Sequence, residues 1–163
     1  MVAIFSLQPL SFPRGTQLET NAHLIMQLQD KVAFVTGAGS GIGKASALLF
    51  AQEGAKVVAM SRTLEEVQAT ADEIKAAGGE AIAIDVDISK AEDIQRAVAA
   101  TIEAFGKIDI VFANAGINGV WAPIEEISDE EWDKTIDINL KGTFMTLKYT
   151  FPHLKKQDRK SVV

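Results

Sequence analysis

Cysteine is absent from the 163 residues, which removes disulfides, zinc ribbons, iron–sulfur clusters and thiol nucleophiles. Histidine occurs twice, at His23 and His153, too few and too far apart in sequence for a metal cage. Basic residues are outnumbered: 16 Lys plus Arg stand against 22 Asp plus Glu, a net charge of −6. Nucleic acid and anionic membranes are therefore disfavoured partners, since both need a basic face. Pro9, Pro13 and Gly15 break the apolar runs of residues 1–29 before any reaches the length of a signal-peptide core or a membrane span. Any catalysis has hydroxyls, amides, carboxylates, lysines or a bound cofactor to work with.

With 47% hydrophobic and 23% charged residues, the composition is globular, and the length predicts one domain. We expect residues 1–29 to be a flexible extension and residues 30–163 to form the domain, in a cytoplasmic protein. Four short runs rich in β-branched or aliphatic residues, 31–36, 55–60, 81–86 and 108–113, have strand length and composition. Between them, helical spacing runs over residues 42–53, over Leu64, Val67, Ala71 and Ile74, and over Ile94, Val98, Ile102 and Phe105. Alternating strands and helices with nearly continuous apolar strands predict an α/β fold, a doubly wound parallel sheet covered on both faces. The sheet is incomplete: four strands plus the start of a fifth near Ser161. A further helix should begin at about Asp129, with Ser128 as N-cap and Asp129, Glu130 and Glu131 at the positive end of its dipole. Pro152 should end or kink it. Lys155, Lys156, Arg159 and Lys160 read as a solvated turn before the fifth strand.

The richest chemistry lies where the first strand ends, at Thr36-Gly37-Ala38-Gly39-Ser40-Gly41-Ile42-Gly43. Glycines permit a sharp turn and leave no Cβ between the backbone amides and a ligand, and the following helix aims its N-terminus at the same place. A pyrophosphate suits such a loop. A Walker loop would need Gly at Ala38 and Ser or Thr at Ala45, and the G-x-G-x-x-G fingerprint fails at Ile42.

The pattern that fits is T-G-x-x-x-G-x-G, and with it the chain resembles the short-chain dehydrogenase/reductase family from about Met26 to Val163. Asp87-Ile88 stands in the family's adenine-contacting position, Asn114-Ala115-Gly116 matches its N-A-G motif, and Asn139-Leu140-Lys141-Gly142-Thr143 matches its N-x-x-G-T segment. Ala113 departs from the family's frequent first Asn. The resemblance implies a Rossmann-like fold and a nicotinamide dinucleotide held by Thr36, Gly37, Ser40, Gly41, Ile42 and Gly43. Ser61 and Arg62, then Asp87, Ile88, Asn114, Ala115 and Gly116, complete the implied cofactor site. Residues 26–32 resemble a usual family N-terminus, so Met26 is the expected natural initiator.

The second strand bears on which dinucleotide binds. An NAD site places a carboxylate about twenty residues after the glycine loop, where it takes the ribose hydroxyls and repels a 2′-phosphate. Here the position reads Ser61-Arg62, and a guanidinium would bind that phosphate. NADP(H) is favoured over NAD(H); the alternative is an exposed Arg capping a loop. Asp87 either meets the adenine amine, as the resemblance implies, or caps the following helix. Trp121 either closes over a substrate or, the favoured reading, packs the loop.

By resemblance the chemistry is hydride transfer between nicotinamide and a carbonyl or alcohol, with a Tyr-x-x-x-Lys pair and a serine as proton-handling groups. Asn139 would hold a water in the proton relay to that lysine; a buried helical Asn satisfied by neighbours is the alternative. The one tyrosine, Tyr149, is followed four residues on by His153, so the motif is not among these residues. The chain therefore reads as a truncated product holding the cofactor half: it should bind without turning over, with residues 108–113 left as an open apolar edge. Three readings remain: an NADP-dependent oxidoreductase whose catalytic residues are lost from this chain, a silent cofactor-binding module, and an assembly partner that completes its sheet with another chain, with a homo-oligomer through the helix from about Asp129 as one form of assembly.

Overall fold

In the computed structural model, which describes residues 26–157, period-two alternation sorts each strand's side chains between two cores. The strands are β1 (Val32–Thr36), β2 (Lys56–Ser61), β3 (Ala81–Asp85) and β4 (Ile110–Ala113). Val32 and Phe34 of β1, with Val58 and Met60 of β2 and Ile84 of β3, face one side; Ala33 and Val35, with Val57, Ala59 and Ala81, face the other. Strands with both faces apolar must be covered on both, and they are.

The covering helices are α1 (Gly41–Gln52), α2 (Leu64–Ala76) and α3 (Ala91–Phe105). Helices α1 and α2 supply Ala47, Val67, Ala71 and Ile74 to the face lined by small alanines, while α3 supplies Ile94, Ala97 and Val98 to the face of Phe34 and Met60. Each fully buried Val, Ile, Phe or Met contributes about 1.5–3 kcal/mol. The strand and helix expectations hold to within two residues at each end, apart from the start of α3, which the apolar spacing did not fix.

All pairings are parallel and the strand order is β3-β2-β1-β4. The chain moves outward from β1 to β3, then returns through α3 to place β4 on the other side of β1. That reversal opens a crevice beyond the carboxyl ends of β1 and β4, the place where open α/β sheets bind ligands. Among the described residues β4 pairs only with β1, and its four residues are half-buried, as expected of an open edge. Phe112 is braced edge-to-face on Phe50 of α1, with ring centroids 5.9 Å apart.

After β4 come a turn of 3₁₀-helix, Ile124–Glu126, and a long helical run: α4 (Asp129–Ile136), a wider π-helical turn (Asp137–Gly142) and α5 (Thr143–Gln157). Ser128 caps α4 as expected, its Oγ accepting the Glu131 amide at 3.3 Å. Pro152 does not end this run: α5 continues to Gln157 with Pro152 inside it. The amide that Pro152 lacks would have served the carbonyl of Lys148, an exposed residue. Among the described residues, no helix is long and apolar enough to cross a membrane.

Three expectations fall partly or wholly outside the described residues; one is the turn over residues 155–160, of which Lys155 and Lys156 lie instead in the last turn of α5 and Arg159 and Lys160 are outside. The fifth strand near Ser161 and all but residues 26–29 of the expected extension lie there. Residues 26–29 are tied to the end of α1: the Leu28 amide donates to the Glu53 carbonyl at 2.9 Å, the Gln27 amide donates to the Glu53 carboxylate at 3.0 Å, and Leu28 packs on the core.

Candidate functional site

The glycine loop leaves β1 at Gly37, whose φ of +68° is open to glycine at little cost. Ala38 is buried; its amide donates to the Met60 carbonyl at 2.9 Å and its carbonyl accepts the Thr70 hydroxyl at 3.0 Å. The loop is thus pinned to β2 and α2 at one residue, and α1 begins immediately after it. At the third glycine of the pattern, Gly43, a Cβ would stand 1.9 Å from the Gly37 carbonyl oxygen, so the loop can fold back on the helix only where no side chain exists.

The amides of residues 39–43 have no protein acceptor among the described residues. Ser40, the N-cap of α1, does not use its side chain to cap, and the first turn carries no acid. Unpartnered amides at the positive end of a helix dipole favour an anion.

Across the crevice the loop after β4 is locked to β1. The Thr36 hydroxyl accepts the amides of Asn114 at 3.0 Å and Ala115 at 3.1 Å, and lies 3.4 Å from the Phe112 carbonyl, to which it donates. The Asn114 side-chain amide donates back to the Thr36 carbonyl at 3.3 Å and lies 3.5 Å from the Gly37 carbonyl. Asn114 therefore joins the two strand ends that frame the cleft.

The cleft has a volume of about 360 Å³. Of the residues singled out in the sequence, Thr36, Gly37, Ser40, Ser61, Arg62, Asp87, Ile88, Asn114, Ala115 and Gly116 line it. Gly41, Ile42 and Gly43 stand beside it on the first turn of α1, where the Ile42 side chain is 74% exposed. Gly39 of the predicted glycine loop also lines it, and so do Met60, Thr63, Glu66, Val86, Ile117 and Ile138, which were not read from the sequence as site residues. Only contact across elements reveals them, although Glu66 was visible as an acid in the first turn of a predicted helix.

At the β2 end, the Ser61 hydroxyl is held by the backbone of Thr63, accepting its amide at 3.1 Å and donating to its carbonyl at 2.9 Å. This shapes the turn that presents Arg62, which is exposed and makes no ion pair among the described residues. The Val86 amide closes the floor by donating to the Ser61 carbonyl at 2.8 Å.

Asp87 does not cap α3, whose N-cap is Lys90. Its Oδ1 instead accepts both the amide (3.0 Å) and the hydroxyl (2.7 Å) of Ser89, building the turn before the helix. The Asp87 amide donates to Asp93 Oδ2 at 3.0 Å. That hydrogen bond, and then the neighbouring Arg96, hold the Asp93 carboxyl below the usual carboxylate range against the opposing cost of partial burial. Ile88 borders the cleft while its side chain is buried against Gly142, where a Cβ would come within 2.7 Å of Ile88 Cδ1.

Asn139 lies in the π-helical turn and is exposed rather than buried. Both ends of its side chain are engaged by one residue: Oδ1 accepts the Ile117 amide and Nδ2 donates to the Ile117 carbonyl, each at 2.8 Å. It clamps the loop after β4 onto the helical run. The expectation that Trp121 packs that loop is not met. Trp121 is 91% exposed, although the segment that carries it is held to the helical run at Ile117 and passes against Thr135 at Gly119. No cluster of metal-ligating side chains occurs among the described residues.

Residues 31–163 match the family model for short chain dehydrogenase. An uncharacterized oxidoreductase of Thermotoga maritima is 46% identical over 132 residues, covering 81% of this chain and 51% of the relative. Among solved structures, a metagenomic short-chain oxidoreductase in complex with NADP superposes with a TM-score of 0.74 at 36% identity, over 78% of this chain and 57% of that one. NAD⁺-bound xylitol dehydrogenase superposes with a TM-score of 0.78 at 31% identity, over 80% of this chain and 50% of that one. The chain spans about half the length of the curated relatives it matches. A parallel sheet wound in this order, a glycine loop with open amides and a match over residues 31–163 together establish that the chain belongs to the short-chain dehydrogenase/reductase family of oxidoreductases.

Proposed function

We propose that residues 30–163 are the dinucleotide-binding part of an NADP(H)-dependent oxidoreductase that moves a hydride between nicotinamide and a carbonyl or alcohol. The observation that carries this reading is the row of unpartnered amides at residues 39–43, opening on a cleft whose β2 end presents Arg62 and no carboxylate at the strand terminus. Those amides would hold the pyrophosphate, and the unpaired guanidinium would take the 2′-phosphate, each charge-assisted hydrogen bond contributing about 1.5–3 kcal/mol. Val86, Asp87 and Ile88 supply the wall for the adenine. NADP(H) itself would supply the hydride chemistry. One relative structure holds NADP and another NAD⁺, so the case for NADP(H) rests on Arg62.

The proton-handling residues of the reaction are not among these 163: Tyr149 lacks a lysine four residues on, where His153 stands. The polypeptide of these residues binds cofactor without turnover. Within this part Asn139 acts through the loop it clamps rather than on a reacting atom. We place the protein in the cytoplasm.

Fluorescence titration with NADPH tests the reading. NADPH should bind more tightly than NADH, and Arg62→Glu should weaken NADPH by at least tenfold while leaving NADH nearly unchanged. Equal NADPH affinity in Arg62→Glu and the parent chain would overturn the assignment.

A second reading, assembly through the helical run from Asp129, is favoured by its exposed Trp132, Leu140, Phe144 and Leu147. Sedimentation of the purified chain should show a species larger than the monomer that Phe144→Asp dissociates.

A further inference from the structure

The lining of the cleft contains, besides Arg62, a second and oppositely charged group. Glu66, in the first turn of α2, reaches over the glycine loop so closely that a Cβ on Gly39 would lie 2.5 Å from Glu66 Oε2 and 3.2 Å from Ser61 Oγ. Its carboxylate therefore occupies the gap between the glycine loop and the end of β2, and both Glu66 and Arg62 line the cleft.

The backbone of Glu66 is placed by a buried anchor rather than by chance exposure. The Thr70 hydroxyl, fully buried, donates to the carbonyls of Ala38 at 3.0 Å and Glu66 at 3.1 Å. One hydroxyl thus fixes the glycine loop and the first turn of α2 against each other, and Glu66 is carried on that turn. Glu66 forms no ion pair with Arg62 or any other cation among the described residues. Its negative charge faces the same cleft that Arg62 lines, without a cation partner among the described residues.

We propose that Glu66 is a second determinant of nucleotide choice, acting against the 2′-phosphate from the helix side and setting Arg62's preference for NADP(H) lower than the guanidinium alone would. This inference rests on the dinucleotide reading above. Across one partly solvated cleft, repulsion between a carboxylate and a phosphate corresponds to roughly three- to tenfold in affinity. The uncharged 2′-hydroxyl of NAD(H) feels no such repulsion. The site as built should therefore accept both dinucleotides, with a modest bias to NADP(H) that falls as ionic strength rises.

The test is titration of the full 163-residue chain with NADPH and NADH at low and high salt, for the parent and for Glu66→Gln, Glu65→Gln and Arg62→Glu. Glu66→Gln keeps the side chain's shape and removes its charge; thermal melting confirms that it folds as the parent does. Its NADH-to-NADPH ratio of dissociation constants should rise three- to tenfold, with the rise shrinking at high salt. Glu65→Gln, an equal change of net charge away from the cleft lining, should leave the ratio within twofold. An unchanged ratio in Glu66→Gln, or an equal rise in Glu65→Gln, overturns the proposal. If Arg62→Glu abolishes the NADPH preference while Glu66→Gln changes nothing, the role of Glu66 alone falls. If Arg62→Glu changes nothing, the NADP(H) reading fails and the role of Glu66 with it.

Discussion

The hydroxyl of Thr36 accepts the backbone amide of Asn114 at 3.0 Å while the side chain of Asn114 donates to the carbonyl of Thr36 at 3.3 Å. This reciprocal pair, with the Ala115 amide as a third partner at 3.1 Å, joins the ends of β1 and β4 across the topological switch. The glycine loop and the loop after β4 are thereby parts of one rigid frame.

Replacing Thr36 by Val keeps the shape and removes the acceptor. Two amides at the strand junction lose their partner, which should destabilise the fold by about 1–3 kcal/mol. Urea denaturation reads the loss, and NADPH titration should show weaker binding because the frame of the cleft loosens. A variant as stable as the parent would show that water replaces the hydroxyl.

Gly142→Ala tests how the helical run closes the cleft. The added Cβ would approach Ile88 Cδ1 to 2.7 Å and the Ile88 carbonyl to 3.1 Å. A backbone oxygen cannot swing away as a side-chain terminus can, so the run must shift off the turn that carries Asp87. A loss of about 1–3 kcal/mol is expected for overpacking, with NADPH affinity reduced as well. Thermal melting and titration of the same preparation separate the two effects.

Asp93 makes stability depend on pH. Its folded value lies below the ordinary carboxylate value, first because the Asp87 amide donates to it and then because Arg96 is near. The contribution is therefore fully present above the unfolded carboxylate value of about 4 and is lost as pH falls through the lowered folded value. Asp93→Asn should cost about 1 kcal/mol at pH 7. The difference between parent and variant should hold above about pH 4 and shrink below it, as read by denaturant midpoints. A difference independent of pH would assign Asp93 a packing role.

The strands, the three crossover helices and the glycine loop are legible in the sequence because each is written locally. Residues 32–35 are apolar on both faces of the strand, and T-G-x-x-x-G-x-G names positions where a side chain clashes or strains the backbone. Pro152 does not end the helix, one of its two expected outcomes, because proline's local cost is fixed while tolerance of it depends on the surroundings of the orphaned carbonyl. Trp121 misleads because burial is a property of what lies opposite, and nothing in its own neighbourhood of sequence states that.

The roles of Thr70, Glu66 and Ile117 could not be read in advance. Thr70 looks like one more polar position on an amphipathic helix until the packing of α2 sets its hydroxyl against the carbonyl of Ala38, 32 residues away in sequence. The Asn139 clamp on Ile117 spans 22 residues and depends on the π-helical turn for its aim.

Local propensity and hydrophobic period thus determined by themselves which segments would be strands and helices, and the order of those segments made the sheet parallel. Tertiary structure alone decided which loops meet at the cleft and which charges face each other there. Those outcomes depend on distances between groups remote in sequence, and hydrogen bonds and Coulomb forces act through space rather than along the chain.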